Sequence, residues 1–248
     1  MSSVAVAYRK HFLPLESNPE VFNELIHLLG ASDEIAFEDI LSLDEPSLLP
    51  QRPTLAAILV LPASSAFEEK KFAADAARVE YNGSGEGEPV VWFKQTIHNA
   101  CGLYAILHAL SNIRPLSRFF EQDSSFLRFL GDCIACQPRE RARLLESSVE
   151  IERAHAAVAV KGDSAVPESA EDKVDYHYIC FTLGADGCLY ELDGDLKGPV
   201  SLGKVQSGKQ GDILGPETIS LIRGYIDQGS GNIGYSLMAL VHRGNENP

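Results

Sequence analysis

Cys101 is the residue whose type and position best suit nucleophilic chemistry in this 248-residue chain. It stands in the stretch QTIHNACGLYAILHAL, at the first turn of a predicted helix. The thiolate is the reactive form of cysteine, and a helix N-terminus stabilises its negative charge. Gly102 would keep the space beside the sulfur open for the backbone of a substrate. A lone cysteine here also suits a small structural residue buried under the helix, so the motif alone leaves both interpretations open.

A cysteine nucleophile needs a base, and His177 is the best placed of the seven histidines. His108 lies two turns further along the same helix, about 10 Å away at 1.5 Å per residue, and cannot reach the sulfur. His98 lies near the positive end of the helix, which disfavours an imidazolium, and it has no evident carboxylate to orient it. His177 lies in a predicted hairpin that also contains Asp193.

The register of this hairpin decides whether His177 and Asp193 meet. Its strands are YHYICFTL (176–183) and CLYELD (188–193), joined by GADG. If the turn centres on Ala185, the two residues are direct cross-strand neighbours. Asp193 would then accept a hydrogen bond from one ring nitrogen and leave the other for the thiol. If Asp186-Gly187 instead form a two-residue turn, the register shifts by three and the pair is offset. In either register, a surface His–Asp pair without a catalytic role is the alternative interpretation.

Gln95 supplies a fourth polar group, six residues before the nucleophile. Its carboxamide could share the negative charge of a tetrahedral intermediate with a backbone N–H at Cys101. Most glutamines are surface residues, so this hypothesis depends on the others. Together the four residues predict a nucleophile (Cys101), a base (His177), an orienting carboxylate (Asp193) and an oxyanion donor (Gln95).

The elements that must position these groups predict an α+β chain. A turn and a helix are expected over 14–29, with Asn18 as the cap and Pro19 at the first helical position. Hydrophobic spacing predicts further helices and strands: helices over 99–112 (with Asn99 as a capping type), 117–131 and 138–157, and extended segments over 54–62, 90–93, 176–183, 188–193 and 235–243. Residues 161–173 break all periodicity and predict a mobile loop.

Composition excludes several classes of function. The net charge of −14 argues against nucleic acid and against an anionic membrane surface. No apolar run approaches the roughly 18 residues of a membrane span, and the N-terminus lacks the pattern of a signal peptide. We therefore expect a cytoplasmic protein, with the nucleus as a second location. Acidic residues dominate positions 1–50 and could steer a basic partner, although composition alone favours a solubility charge without a specific target.

The cysteines are expected to be free thiols, because their number is odd and no secretory signal is present. They stand at positions 101, 133, 136, 180 and 188. Cys133 and Cys136 form a C-x-x-C, yet no second Cys or His pair stands at zinc-finger spacing. Structural thiols are therefore favoured there over zinc or redox chemistry.

Three segments of the candidate site together resemble the ubiquitin C-terminal hydrolase family. They are QTIHNACG (95–102), KVDYHYICF (173–181) and LYELDG (189–194). FLPLESNPEV (12–21) and RERARLLES (139–147) resemble the same family in the same order, so the resemblance covers nearly the whole chain. The chain departs from the family pattern at His98, at Leu103-Tyr104 and in a longer hairpin, but no catalytic group is missing.

The resemblance implies a thiol hydrolase that cleaves small or flexible adducts from the C-terminal glycine of ubiquitin, or of NEDD8, through an acyl-enzyme and without a metal or cofactor. It implies a papain-like α+β fold with a central antiparallel sheet flanked by helices and a knotted chain. It also implies a single catalytic domain over 1–248, with a crossover loop at approximately 155–172 that restricts leaving groups. The short C-terminus is that of the small members, which we expect to be monomers. The implied ubiquitin contacts are Pro14, Leu15, Glu16, Ser17, Asn18, Pro19, Asn232 and Tyr235.

Two other classes of function share part of these features. An inactive ubiquitin-binding module would keep the surface without the chemistry, but all four polar groups are retained. An unrelated Cys-His-Asp acyltransferase or transglutaminase would share the triad without the PLESNP segment (14–19).

Overall fold

A six-stranded antiparallel sheet is the centre of the computed structural model, which describes residues 8–162, 169–172, 174–206, 211–229 and 234–244. Its strands are β2 (Ile35–Asp39), β3 (Thr54–Pro62), β5 (Tyr176–Leu183), β6 (Cys188–Leu192), β7 (Val200–Lys204) and β8 (Ser236–His242). They lie in the order β2-β8-β3-β5-β6-β7. Two short strands, β1 (Lys10–His11) and β4 (Ile97–His98), form a separate parallel pair.

Helices surround this sheet. They are α1 (Pro19–Leu28), α2 (Ser65–Ala76), α3 (Cys101–Asn112), α4 (Leu116–Phe119), α5 (Ser125–Ile134), α6 (Pro138–Ser147), α7 (Val149–Val158) and α8 (Pro216–Gly229). No helix in the described part of the chain is long and apolar enough to cross a membrane. The predicted α+β architecture, an antiparallel sheet flanked by helices, is confirmed. The knot remains a prediction.

Strand β3 is a continuous apolar run because both of its faces are covered. Residues 56, 58 and 60 face the core that contains α1 and α3, whereas residues 57, 59 and 61 face the core that contains α8. A strand covered on both faces has no solvent side and needs no polar alternation. The predicted range 54–62 matches β3 at both ends.

Helix α3 lies inside the larger core, and every residue from Cys101 to Ser111 is buried. It begins two residues later than predicted. Asn99 does not cap it, because its backbone φ is +57° and its amide donates to the carbonyl oxygens of Ala170 and Asp172. The candidate nucleophile is therefore the first residue of the central helix.

Other predicted boundaries were wrong for local reasons. The helix expected over 138–157 is two helices, because Ser148 takes an extended backbone and its hydroxyl caps α7. The helix expected over 117–131 is likewise divided into α4 and α5. Residues 90–93 lie outside the sheet, since the Val91 backbone is bonded to the side chain of Asn112 instead of to a strand.

Candidate active site

The β5–β6 hairpin brings His177 and Asp193 together, but not in the predicted register. Phe181 pairs with Glu191, which centres the turn on Asp186. The prediction of direct cross-strand partners is therefore wrong. Moving the centre by one residue shifts the pairing by two, and a shift of two keeps both side chains on the same face of the sheet. His177 and Asp193 are consequently diagonal neighbours that still meet.

The contact between these two side chains is short and fixed. Nε2 of His177 lies 2.8 Å from Oδ2 of Asp193, and the Asp193 side chain is fully buried. The other carboxylate oxygen, Oδ1, accepts from the backbone N–H of Asp195 at 2.9 Å. Trp92 donates its indole N–H to the Asp193 carbonyl oxygen at 3.1 Å. The predicted pairing of imidazole and carboxylate is confirmed, and its geometry leaves Asp193 little freedom to move.

The His177 ring also interacts with the Cys101 thiol, which joins the hairpin to the helix. Because Nε2 is engaged with Asp193, Nδ1 is the ring nitrogen left for the thiol. Cys101 is also the first residue of α3, where the positive end of the helix dipole favours a thiolate. The three side chains thus have the contacts that a nucleophile, a base and an orienting carboxylate require.

Burial and the neighbouring charges have opposite effects on the pKa values of His177 and Asp193. Burial lowers the pKa of His177, but the Asp193 charge and hydrogen bond, together with the interaction with Cys101, outweigh it and hold that pKa well above its ordinary value. Burial raises the pKa of Asp193, but the charge and hydrogen bond of His177 outweigh it and hold that pKa low. The structure therefore favours an imidazolium beside a carboxylate, which is the state that stabilises a thiolate.

Lys71 is a member of this cluster that the sequence analysis missed. Its Nζ lies 3.0 Å from Oδ2 of Asp193, 3.2 Å from Nε2 of His177 and 3.6 Å from Oδ2 of Asp195. Burial lowers the pKa of Lys71, but the charges of Asp193 and Asp195 outweigh it, so the amine stays charged. Within the described ranges, His177, Asp193 and Asp195 are also the one set of side chains spaced to hold a metal ion. The Lys71 ammonium lies against all three of them.

Comparison with known proteins places this geometry in a family. A sequence profile of ubiquitin carboxyl-terminal hydrolase, family 1, matches residues 12–227. The chain belongs to this family. It is 35% identical over 237 residues to ubiquitin carboxyl-terminal hydrolase 3 of Arabidopsis thaliana, an alignment that covers 94% of this chain and 95% of the relative. It is 34% identical over 230 residues to human ubiquitin carboxyl-terminal hydrolase isozyme L1, covering 92% and 96%.

The fold is similar to that of a solved structure, the Trichinella spiralis UCH37 catalytic domain bound to ubiquitin vinyl methyl ester. The TM-score is 0.70 at 21% sequence identity, over 95% of this chain and 97% of that one. At this identity the likeness establishes the fold alone. The resemblance to ubiquitin C-terminal hydrolases drawn from the sequence motifs is confirmed.

Gln95, the predicted oxyanion donor of this hydrolase, lies next to the triad through Gly194. Its backbone N–H donates to the Gly194 carbonyl oxygen at 2.9 Å. A Cβ added to Gly194 would lie 2.8 Å from Cβ of Gln95, so only glycine fits at this approach. The Gln95 amide N–H donates to the Ile97 carbonyl oxygen at 3.3 Å, and its buried Oε1 has no partner among the described residues. The oxyanion role remains a prediction.

The segment predicted to contact ubiquitin, Pro14 to Pro19, packs directly against the start of α3. A Cβ on Gly102 would meet the Leu15 side chain at 3.3 Å, and Tyr178 donates its hydroxyl to the Leu15 carbonyl oxygen at 2.8 Å. The space beside Gly102 is therefore filled by the protein itself, contrary to the expectation that a substrate backbone would pass there.

The rest of that segment reaches the last strand of the hydrolase. Ser17 is hydrogen-bonded to Ser236 at 2.8 Å, next to the half-buried Tyr235. Asn18 caps α1 as predicted, accepting from the Glu20 N–H, and Pro19 is the first helical residue. Asn232 lies outside the described residues. The ubiquitin contacts themselves remain predictions.

The predicted crossover loop begins later than expected. Residues 155–158 belong to α7, so a loop can start only after Val158. Residues 163–168 and 173, which carry much of the predicted mobile stretch, lie outside the described residues. The far end of the loop is tied to the site, because the Asn99 amide donates to the Ala170 and Asp172 carbonyl oxygens at 3.0 and 2.7 Å. This end of the loop is therefore bonded to a residue that precedes Cys101 by two positions.

The polar interior face of α2 explains why Lys71 was missed. Asp75 is the buried residue of this helix, whereas its phenylalanine at position 72 is exposed. A helix without a buried apolar stripe gives no signal at the 3.6-residue period. The spacing of Lys71 and Asp75, four residues apart, would have been the available signal once a helix was assumed.

Cys133 of the C-x-x-C is held in a form that does not suit nucleophilic chemistry. All five are free thiols, as predicted. Cys133 is buried, and burial raises the pKa of its thiol to about 12. A thiol held protonated in this way is unsuited to act as a nucleophile. The C-x-x-C is thus better explained by packing.

Glu191 offers a stability test of the buried charges beside the triad. Burial raises the pKa of Glu191 from 4.5 to about 7, although the Tyr225 hydroxyl donates to it at 2.5 Å. As pH rises above 4.5 the unfolded chain ionises first, so the free energy of unfolding falls until about pH 7. At about 1.4 kcal/mol per pKa unit this loss is about 3 kcal/mol. Glu191→Gln should remove it.

The measurement is urea unfolding of both proteins at pH 5 and pH 8. The difference between the two pH values should be smaller in Glu191→Gln by about 2 to 3 kcal/mol. Tyr225→Phe is the matched variant, because it removes the hydrogen bond but keeps the titrating group, and its loss between pH 5 and pH 8 should be at least as large as that of the wild type. An identical pH dependence in the wild type and Glu191→Gln would contradict the argument.

Proposed function

We propose that the chain hydrolyses the bond after the C-terminal glycine of ubiquitin and releases small or flexible adducts. The family assigns the general activity, that of a cysteine-type ubiquitinyl hydrolase. The observation that supports the residue roles is the position of His177, in contact with the Cys101 thiol on one side and with Asp193 at 2.8 Å on the other. No metal or cofactor has a part in the proposed chemistry.

The proposed reaction proceeds through an acyl-enzyme. In the starting state the thiol proton is carried by His177 at Nδ1, and the thiolate of Cys101 attacks the carbonyl carbon of the terminal glycine. The Gln95 carboxamide and a backbone N–H at Cys101 stabilise the negative oxygen of the tetrahedral intermediate. The imidazolium then protonates the leaving group, which departs and leaves a thioester on the sulfur. Water attacks this thioester after giving a proton to His177, and ubiquitin leaves with a free carboxyl group while the thiolate and the imidazolium are restored.

Ubiquitin carrying an electrophile in place of its C-terminal carboxyl group tests this proposal. The hydrolase should form a one-to-one covalent adduct whose mass maps to the peptide that contains Cys101. An inactive binding module would bind without an adduct, and an unrelated transferase would not react. Blocking the thiol first with iodoacetamide is the control. An adduct on another cysteine, or none at all, contradicts the assignment.

The same reagent built on NEDD8 tests the wider substrate range. NEDD8 is included because the sequence offers no feature that separates the two substrates. Comparable rates of adduct formation with the two reagents would support both substrates.

We further propose that the protein is a monomer in the cytoplasm or nucleus, and the free thiols are consistent with a reducing compartment. The acidic surface suits a partner with a basic C-terminal tail.

We also propose that the loop after α7 limits the size of the leaving group. Its far end is fixed beside Cys101 by the Asn99 amide. We expect an enzyme that releases short peptides from ubiquitin and fails on folded ubiquitin–ubiquitin conjugates, since a strap across the cleft excludes large leaving groups. Inserting Gly-Ser repeats between Ser164 and Ala165 should create activity on the larger conjugates.

The matched control is the same insertion in the hairpin turn at Asp186, which lies at the opposite end of β5 and β6 from His177 and Asp193. Cleavage of both substrate sizes is measured for the wild type and the two insertions. The loop insertion should gain activity on the conjugates, with little change on short adducts. If the widened loop gains none, the restriction does not come from this loop, whatever the triad does.

A further inference from the structure

Helix α2 is fastened to the segment that carries the orienting carboxylate. Asp75, one turn beyond Lys71, accepts from the Lys197 backbone N–H at 2.9 Å. Arg78, just after α2, pairs with Asp75 at 2.9 Å and also donates to the carbonyl oxygens of Gly198 and Pro199. The helix is therefore held against the chain that follows β6, where Asp193 and Asp195 stand.

This attachment places the Lys71 ammonium beneath the triad. Its side chain is 8% exposed, and Nζ lies 4.9 Å from the centre of the Phe72 ring, at the distance of a cation–π contact. Oδ2 of Asp193 accepts from Lys71 at 3.0 Å while it lies 2.8 Å from Nε2 of His177. One oxygen atom thus holds both the base and the lysine. A buried ammonium is costly unless carboxylates compensate it, and here two are within 3.6 Å.

We propose that Lys71 is a positioning residue for the hydrolysis. It is a buried counter-ion of Asp193 and fixes that carboxylate against His177. Its positive charge also disfavours the protonated form of the His177 ring. Its polar contacts are with Asp193, His177 and Asp195, and it acts on the reaction through Asp193 and His177. The proposal rests on the proposed function, but the arrangement it describes exists in the free enzyme and can be tested there.

The charges around this pair define the expected effect. His177 and Lys71 are both cations at 3.2 Å, so each disfavours the charge of the other. Acidic groups oppose this repulsion and explain why both remain charged. The titratable groups that interact with the pair are Tyr8 of the N-terminal segment, Cys101 of α3, Glu191 of β6, and Asp193 and Asp195 after β6. Lys94 of the segment before β4 and Tyr225 of α8 interact with Asp193 in turn.

Lys71→Met is the informative variant, because it keeps the length of the side chain and removes the charge. NMR titration of the His177 ring in the free enzyme should show a pKa higher than in the wild type by about one unit, since one nearby positive charge is gone. On a ubiquitin C-terminal amide, kcat should fall about tenfold with KM unchanged, because Asp193 is less well positioned. The alkaline limb of the pH profile should move up with the His177 pKa.

Two variants separate positioning from a general structural role. Lys71→Arg keeps the charge and should return the His177 pKa to its wild-type value. Lys70→Met removes the neighbouring lysine, which is exposed and contacts Gln228, and should change neither the pKa nor kcat. A Lys71→Met protein that is folded by circular dichroism and has a wild-type His177 pKa overturns the proposal.

The ring titration needs no substrate, so its result is independent of the ubiquitin hydrolysis proposed above. The shift in the His177 pKa can be measured even in a protein that does not act on ubiquitin. If Lys71→Met does not fold, the wild type decides alone. In lysine-labelled protein, the Lys71 side-chain ¹⁵N resonance should be protected from exchange and should move as His177 titrates. A Lys71 resonance that ignores this titration overturns the proposal.

Discussion

Replacing Cys101 by serine is expected to abolish hydrolysis of a ubiquitin C-terminal amide while ubiquitin binding is largely kept. A hydroxyl has a far higher pKa than a thiol, and neither the start of α3 nor the contact with His177 can ionise it at neutral pH. Loss of a nucleophile costs several orders of magnitude in kcat, about 10⁴-fold or more. The side chain is buried and nearly isosteric, so the fold should persist.

Single-turnover assays and a binding measurement on the same protein preparation check this result. Cys133→Ser is the matched control, because that cysteine is also buried in the main core but has no contact with the triad. It should retain wild-type turnover. Substantial turnover by Cys101→Ser would assign the chemistry to another cysteine and remove the basis for the proposed acyl-enzyme.

Asp193→Asn is expected to lower kcat by about 10² to 10⁴-fold with the fold retained. Both carboxylate oxygens of Asp193 accept hydrogen bonds: Oδ1 from the Asp195 N–H, and Oδ2 from Lys71 and His177. An asparagine has one oxygen and one NH2 group. In either orientation it therefore turns a donor toward another donor. The orientation that keeps the bond from the Asp195 N–H turns the NH2 group toward His177, so the tautomer that faces the thiol is no longer enforced.

Steady-state kinetics and the His177 ring titration check this prediction together. Asp195→Asn is the matched comparison, since its Oδ2 lies 3.7 Å from Nδ1 of His177 and its side chain is partly exposed. Its loss in kcat should be much smaller. Equal losses in the two variants would mean that the carboxylates act only through their charge. Wild-type turnover in Asp193→Asn would show that the hydrogen bond at 2.8 Å has no part in the reaction.

Local sequence determined the elements whose pattern is set by their immediate surroundings. Strand β3 reads as an apolar run because it is covered on both faces, and α1 begins at Pro19 because Asn18 caps it. Cys101 was identified by its place at a helix start. The pairing of His177 with Asp193 was also predicted correctly, although through the wrong register. It survived because a shift of two residues keeps a side chain on the same face of a strand.

Only the tertiary structure decided what lies beneath the triad. Lys71 is more than 100 residues from His177 in the chain, and its helix buries polar groups that no hydrophobic period reveals. Its role as a neighbour depends on Asp75 and Arg78 holding α2 against the segment after β6. The space beside Gly102 was likewise decided by Leu15, which belongs to the N-terminal segment. Local spacing determines which face a residue lies on, whereas contacts between distant segments depend on how the whole core packs.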